Sequence, residues 1–424
     1  MLDSACIIVR RAAVFGVVAL GLLGAASCSK KSGEGDKSAD KAGDKPADKP
    51  AGEAKPAGTT IKLGLIASFS GPFADVGGQI ENGIKAWLKE HGDTVAGKKI
   101  EILRRDTTGP APEVAKRLAQ ELVTRDHVDF LVGFGLTPEA LAAAPVATEG
   151  KTPMIIMNAA TSIITTKSPY IVRISLTLPQ ISAPMGDWAT KNGIKNASTI
   201  VADYGPGIDA ETFFKKAFTA GGGTVTDSVR VPLKNPDFSA FMQRVKDAKP
   251  EAVFVFVPAG EQSVSFMKAF KERGLADAGI KILATGDLLD DHQLATIGDA
   301  ALGVVSTGHY SVAHDSPENK AFLKAYLDAN GAEGGTPNFM SVAAYDGMAA
   351  IYNVAEKLNG TIDADKALEI LKGYTRVSPR GQITIDPETR DIVQTVYVRK
   401  VEKVDGQLRN VEFANVGVLK DPGK

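Results

Sequence analysis

Cysteine is almost missing from this chain. Its only two are Cys6 and Cys28. Both lie in what reads as an export segment, so the folded part is expected to hold no disulfide. An exported protein without disulfides must rely on a large core. Charge of one sign is missing too: Lys and Arg number 49 against 50 Asp and Glu. No basic stripe alternates with aromatics, which make up 6% of residues, and this excludes nucleic acid as a partner. No Gly-x-Ser-x-Gly elbow, no Gly-x-Gly-x-x-Gly loop and no pair of histidines at helical i, i+4 spacing occurs. Neither an enzyme nor a cofactor is implied.

Three near-matches carry ordinary structure instead. Gly150-Lys151-Thr152 resembles the end of a phosphate-binding loop, but Pro145 stands where that motif needs glycine, so it reads as a turn. Ser265-Phe266-Met267-Lys268 matches Ser-x-x-Lys without its companion motifs and reads as an amphipathic helix. Asp290-Asp291-His292, with His309 or His314, offers metal-ligand types, but the two acids ahead of Leu294 read as a helix start.

What is present is a pair of stretches that repeat each other about 124 positions apart. Pro112-Glu113 opens a helical stretch leading to the apolar run Val128 to Gly133, and Pro236-Asp237 opens one leading to Ala252 to Val257. A loop, a helix and another apolar run follow each, Pro153 to Met157 and Ile280 to Ala284. The same α/β unit twice predicts two similar lobes facing across a cleft, with ligand beyond the carboxyl ends of the strands.

The N-terminus reads as a targeting segment. Arg10-Arg11 precedes the uncharged run Ala12 to Ser27, which ends Gly24-Ala25-Ala26-Ser27 ahead of Cys28. The run falls short of the roughly 20 apolar residues that a membrane span needs. Small residues before a cysteine resemble a bacterial lipobox, so residues 1–27 are expected to be a lipoprotein signal and Cys28 the acylated residue. A plain signal cut near Ala26 is the other reading of the same residues. Residues 28–59, rich in Lys, Asp, Ala and Pro, have no apolar face and read as a disordered tether, spanning on the order of 30 Å.

From Ile61 onward strands and helices alternate, which predicts largely parallel sheets flanked by helices. Strands are expected over 61–66, 99–103, 171–174, 198–202, 382–385 and 395–404, the last ending in an Asp405-Gly406 hairpin turn. Helices are expected over 80–91, 113–124, 180–192, 316–329 and 338–358.

The loops after strands carry the candidate chemistry. Ala67 to Phe73, Gly133 to Thr137 and Asn158 to Ser162 are small and hydroxylated, which suits a carboxylate or other small anion. In the second half Tyr204 offers an apolar face and a hydroxyl, and Asp287 a negative charge for an ammonium group. Together they describe an amino-acid clamp.

These residues carry a family resemblance. Leu65-Ile66-Ala67-Ser68-Phe69-Ser70-Gly71-Pro72-Phe73-Ala74-Asp75-Val76-Gly77, Val132-Gly133, Asn158 to Ser162, Asp203-Tyr204-Gly205 and Tyr345-Asp346 resemble, in order, the branched-chain amino-acid binding proteins of ABC importers. The resemblance runs from Ile61 to Val418. It implies the type I periplasmic binding fold, with three hinge crossings. Lobe 1 is expected to hold residues 60–176 and 308–376, and lobe 2 residues 177–307 and 377–420.

By the resemblance, Thr137, Ala159 and Thr161 hold the ligand carboxylate and Tyr204 covers it. Asp287 stands where the family has a Glu for the α-ammonium. Val76 stands where a Tyr often lines the pocket, and Ala259 where another aromatic is common. Ser70 and Phe73 belong to the opening motif and are included in the site. The expected protein is a monomeric, lipid-anchored binding subunit in the periplasm or cell envelope. Its partners are a small ligand, ABC permease subunits and the membrane that holds the anchor. The same fold serving a signalling partner is the alternative. The ligand stays open among a branched-chain amino acid, another aliphatic or aromatic acid, and an amide.

Overall fold

A computed structural model describes residues 58–424; the proposed signal, Cys28 and nearly all of the tether lie outside the described residues. The first sheet holds β1 (Thr60–Ala67), β2 (Thr94–Val95), β3 (Lys98–Asp106), β4 (Phe130–Gly133), β5 (Met154–Ile156) and β6 (Ile171–Arg173). Its order is β2-β3-β1-β4-β5-β6, parallel except for the short β2 edge. Every residue of β4, β5 and β6 is buried, as unbroken apolar runs in a parallel sheet should be.

The second sheet begins with β7 (Asn196–Ala202), β8 (Thr224–Val231), β9 (Ala252–Phe256), β10 (Lys281–Thr285) and β11 (Val305–Gly308). Their order, β8-β7-β9-β10-β11, repeats β3-β1-β4-β5-β6. The repeat read from the sequence is therefore a repeat of whole lobes. Antiparallel strands β12 (Thr375–Ser378), β13 (Gly381–Ile385), β14 (Ile392–Val404) and β15 (Gln407–Leu419) extend this sheet beyond β11. The expected turn at Asp405-Gly406 joins β14 to β15.

Helices flank both sheets. The first lobe carries α1 (Ala74–His91), α2 (Pro112–Thr124) and α3 (Thr137–Glu149). The chain moves one way in the sheet from β1 to β3 and the other way from β3 to β4. Right-handed crossovers then put α1 on one face and α2 with α3 on the other. The second lobe carries α4 (Leu178–Lys191), α5 (Gly205–Ala220), α6 (Phe238–Ala248), α7 (Glu261–Glu272) and the short α8 (Leu294–Ile297). Ser265 to Lys268 lie inside α7, and Gly150-Lys151 form the turn that ends α3.

The chain then returns to the first lobe with α9 (Pro317–Asn330), α10 (Phe339–Lys357) and α11 (Ala364–Leu371). Tyr345 donates to Glu90 at 2.7 Å and Tyr352 to the Gly92 carbonyl at 2.6 Å, fastening α10 to α1 and the residue after it.

Three crossings join the lobes: after β6, after β11 and after α11. A buried ion pair holds them together. Arg380 meets Asp346 at 3.0 Å, and both side chains are wholly enclosed. The same guanidinium donates to the carbonyls of Ile174 at 2.6 Å and Ser175 at 3.0 Å, in the first crossing. Tyr345-Asp346, singled out in the sequence, is thus part of the hinge framework.

Candidate functional site

The first-lobe half of the cleft forms where β4 and β5 end. Gly133 (φ 100°) and Phe134 (φ 59°) turn the chain sharply through the left-handed region. Two backbone bonds hold that turn: Phe134 N–H to Ile66 at 2.7 Å, and Ala159 N–H to Phe134 at 2.9 Å. Asn158 donates to the Gly135 carbonyl at 2.8 Å. The result brings the hydroxyls of Thr137 and Thr161 to 2.9 Å of each other. Thr137 opens α3, so free N–H groups and the positive end of a helix lie beside them.

Arg173 underpins this loop. It ends the short apolar strand β6 with no exposed surface, paired with Asp391 at 2.7 Å. Its other nitrogens donate to the carbonyls of Ala159 at 3.1 Å, Thr161 at 2.8 Å and Leu176 at 3.3 Å. Their carbonyls turn down onto the guanidinium, so the loop carrying Thr161 is fixed from beneath.

The second-lobe half meets it directly. Tyr204 precedes α5, half-buried, its ring 6.1 Å from that of Phe256. A Cβ placed on the adjacent Gly205 would lie 2.6 Å from Thr161 Oγ1 and 3.4 Å from Thr137 Cγ2. The lobes therefore touch at the candidate carboxylate site, and the molecule is in a closed form. Burial, aided by the charge of Asp287, pushes the Tyr204 hydroxyl pKa up.

Asp287 follows β10 and is buried. Burial pushes its pKa up to about 6, against a bond from Thr285 at 3.1 Å and the positive charge of Arg399. Arg399 lies against Gly286 and Gly308, where a Cβ would come within 2.7 Å of its guanidinium. Asp287, Arg399, His309, Phe339 and Leu176 line one small cavity of about 10 Å³ at the base of the cleft. Nε2 of His309 and Nε of Arg399 are buried without a hydrogen-bond partner among the described residues. Burial, then the charges of Arg380 and Arg399, hold His309 well below its usual pKa, so it is neutral.

A second contact closes the rim. Asp75 at the start of α1 accepts from His292 at 3.2 Å and from Gln293 at 2.7 Å. The bond to Asp75 pushes the His292 pKa up to about 9, against burial. Asp290 alongside is pushed up to about 7 by burial and the nearby Asp75 charge. Deeper in, the Ser162 N–H donates to Asp209 at 2.9 Å.

The structure brings Thr137, Thr161, Ala159, Val76 and Tyr204 to one place. Val76 packs on Gly135, where a Cβ would meet its Cγ1 at 2.4 Å. Phe73 lines the cleft mouth, a cavity of about 380 Å³ shared with Phe238 and Gln262 of the other lobe. Ser70 is exposed and its hydroxyl turns to Asp106. Ala259 is buried ahead of Gly260, the residue before α7.

One reading needs correction. A helix does begin at Leu294, and Asp290 accepts from the His292 N–H at 3.1 Å just ahead of it, but both acids are buried and also bond to distant elements. Asp290 accepts from Asn338 at 2.9 Å, and Asp291 from Asn410 at 2.9 Å. His314 pairs with Glu412 at 2.7 Å.

Arg173 and Arg399 escaped the sequence reading. Their signal was available: Ile171-Val172-Arg173-Ile174 and Val396-Tyr397-Val398-Arg399 each set an arginine in an apolar strand, and a buried charge needs a partner.

Comparison with known proteins gives a consistent picture. Residues 60–407 match the family described as "Periplasmic binding protein". The Leu/Ile/Val-binding protein homolog 6 of Brucella melitensis is 46% identical over 364 residues, covering 86% of this chain and 93% of that protein. A crystal structure of a solute binding protein of an ABC transporter from Rhodopseudomonas palustris BisB5, in complex with 3,4-dihydroxybenzoic acid, is 55% identical. It aligns over 86% of this chain and 99% of its own, with a TM-score of 0.84. A second, from Rhodopseudomonas palustris HaA2 in complex with p-hydroxybenzoic acid, is 48% identical over the same shares, also with a TM-score of 0.84.

Proposed function

The chain belongs to the periplasmic binding protein family, and from that premise we propose that it is the binding subunit of an ABC importer for a hydroxylated benzoate-type acid. The carboxylate would rest on Thr137, Thr161 and the N–H groups of α3, with the ring beside Tyr204. Ala159, Val76, Phe73 and Ser70 shape the surroundings. Residues 60–176 with 308–376 and residues 177–307 with 377–420 act as the two jaws. Ligand contacts both jaws only when they are closed, so binding favours closure. The closed form is then what a permease would engage.

One observation favours an aromatic acid over an amino acid. Arg399 lines the same small cavity as Asp287, and its positive charge acts on that carboxylate. An ammonium group entering there would meet a guanidinium as well as a carboxylate. The benzoate-type acids held by similar solved proteins agree with this choice. The amino-acid reading retains one support, the name of the Brucella relative.

Mass spectrometry of ligand co-purified with the protein, followed by calorimetry, tests the assignment. We expect 4-hydroxybenzoate to bind at least about a hundredfold tighter than leucine, a difference near 3 kcal/mol. Tighter binding of leucine would overturn it and return Asp287 to the role of ammonium partner.

The export signal over residues 1–27, acylation at Cys28 and the tether over residues 28–59 belong to the same proposal. They place a monomeric binding domain on a membrane surface, free to turn within reach of its permease.

A further inference from the structure

We infer that Asp287, Arg399 and His309 form a subsite for one ring hydroxyl of the ligand, and that this subsite sets specificity for hydroxylated over plain benzoates. The inference rests on the aromatic-acid reading above and names which end of such a ligand the second lobe recognises.

Three observations carry it. The cavity these residues line, about 10 Å³, has room for one water-sized group and no more. Two of its lining residues each carry a buried nitrogen without a hydrogen-bond partner among the described residues, Nε of Arg399 and Nε2 of His309, on side chains only 2% exposed. Native proteins rarely leave such atoms unpaired, so a group that completes them is expected there. Finally, the charges are complementary to a hydroxyl in particular. A phenolic oxygen can accept the Arg399 Nε–H while its proton goes to the Asp287 carboxylate. A hydroxyl both donates and accepts, whereas a carboxylate only accepts and a methyl group does neither.

The position is also right for the far end of a short ligand. Asp287 lies close enough to Tyr204 for its charge to raise that hydroxyl's pKa. Tyr204 adjoins Gly205, which touches Thr161 and Thr137 of the carboxylate end. Leu176 and Phe339, beside the cavity, give apolar surface for the ring edge. The subsite sits at the carboxyl ends of β10 and β11, where open α/β sheets place their ligands.

The experiment is calorimetry with benzoate, 3-hydroxybenzoate and 4-hydroxybenzoate on the wild type, Asp287→Ala and Asp287→Asn, with melting curves to confirm folding. The wild type should favour one hydroxybenzoate over benzoate by roughly ten- to a hundredfold, the range for a hydrogen bond to a charged group. Asp287→Ala should lose most of that preference, read as the ratio of hydroxybenzoate to benzoate affinity within the same variant. If Asp287→Ala does not fold, the isosteric Asp287→Asn carries the test and should lose at least half of the preference on a logarithmic scale. Equal wild-type affinity for all three acids overturns the subsite, and so does a preference that survives the substitution. Failure of all three acids to bind, with leucine binding, overturns the ligand class itself and is a separate outcome.

Discussion

Gly205 and Thr161 meet across the cleft: a Cβ on Gly205 would stand 2.6 Å from the Thr161 hydroxyl. One belongs to the second lobe and the other to the first. Their approach defines closure, and only a residue without a side chain allows it. The contact is absent once the jaws part, so it affects binding and leaves the fold of each lobe alone.

Gly205→Ala should therefore weaken ligand binding at least about tenfold, a cost near 1.4 kcal/mol. The unliganded melting temperature should hold, since alanine suits the first turn of a helix. Calorimetry and small-angle scattering check this. Normal affinity with full ligand-induced compaction would show that the lobes close along another path.

Arg173→Met should be severe. It leaves Asp391 buried without its closest cation, and breaking a buried pair typically costs about 3–5 kcal/mol. Urea denaturation would measure it. Arg173→Lys keeps the charge but loses the fork that reaches Ala159 and Thr161 together. It should cost less stability and still lower ligand affinity, whereas a purely structural role would leave affinity unchanged.

The Asp75–His292 contact should make affinity fall at high pH. His292 has a folded pKa raised to about 9 from 6.5. Its charged pairing is complete below about 6.5 and is lost as pH rises through about 9. The pair spans the lobes, so the loss should appear in binding. His292→Gln should bind roughly two- to tenfold more weakly at neutral pH, by the usual worth of such a bond. It should also flatten the decline seen in the wild type above about pH 8. An identical slope in both proteins would remove His292 from the account.

Glu139 gives a stability trend of its own. It is buried, accepts from Ser68 at 3.1 Å, from Leu136 N–H at 3.1 Å and from Thr107, and its pKa is raised to about 7, chiefly by burial. The folded state holds this proton more tightly than the unfolded state. Stability from this group is complete below about 4.5, falls as pH rises to about 7 and is level beyond. The loss is on the order of 3 kcal/mol. Denaturation across that window should show the decline in wild type and a flatter curve in Glu139→Gln.

For the anchor, Cys28→Ala should release the protein from membranes on cell fractionation. Equal solubility of wild type and variant would leave only a plain export signal.

The sequence by itself determined the architecture. Apolar runs such as Phe130 to Gly133 and Ala252 to Phe256, short and bounded by turn residues, read as buried strands and are so, and their common spacing pointed to two like lobes. Hydrophobic periodicity is local, so it can be read along the chain. The loops after strands followed from the same pattern, and Thr137, Thr161 and Tyr204 with them. Tertiary structure alone decided what each charge faces. Asp287 and Arg399 are 112 positions apart, Arg173 and Asp391 218 apart, by subtraction of their numbers in the chain. Proximity at such separation leaves no periodic trace, because it depends on which strands β14 and β6 come to lie beside. An acid read alone suggested an ammonium partner. In the folded chain it lies beside an arginine in one small cavity, which is why the proposed ligand is an aromatic acid and not an amino acid.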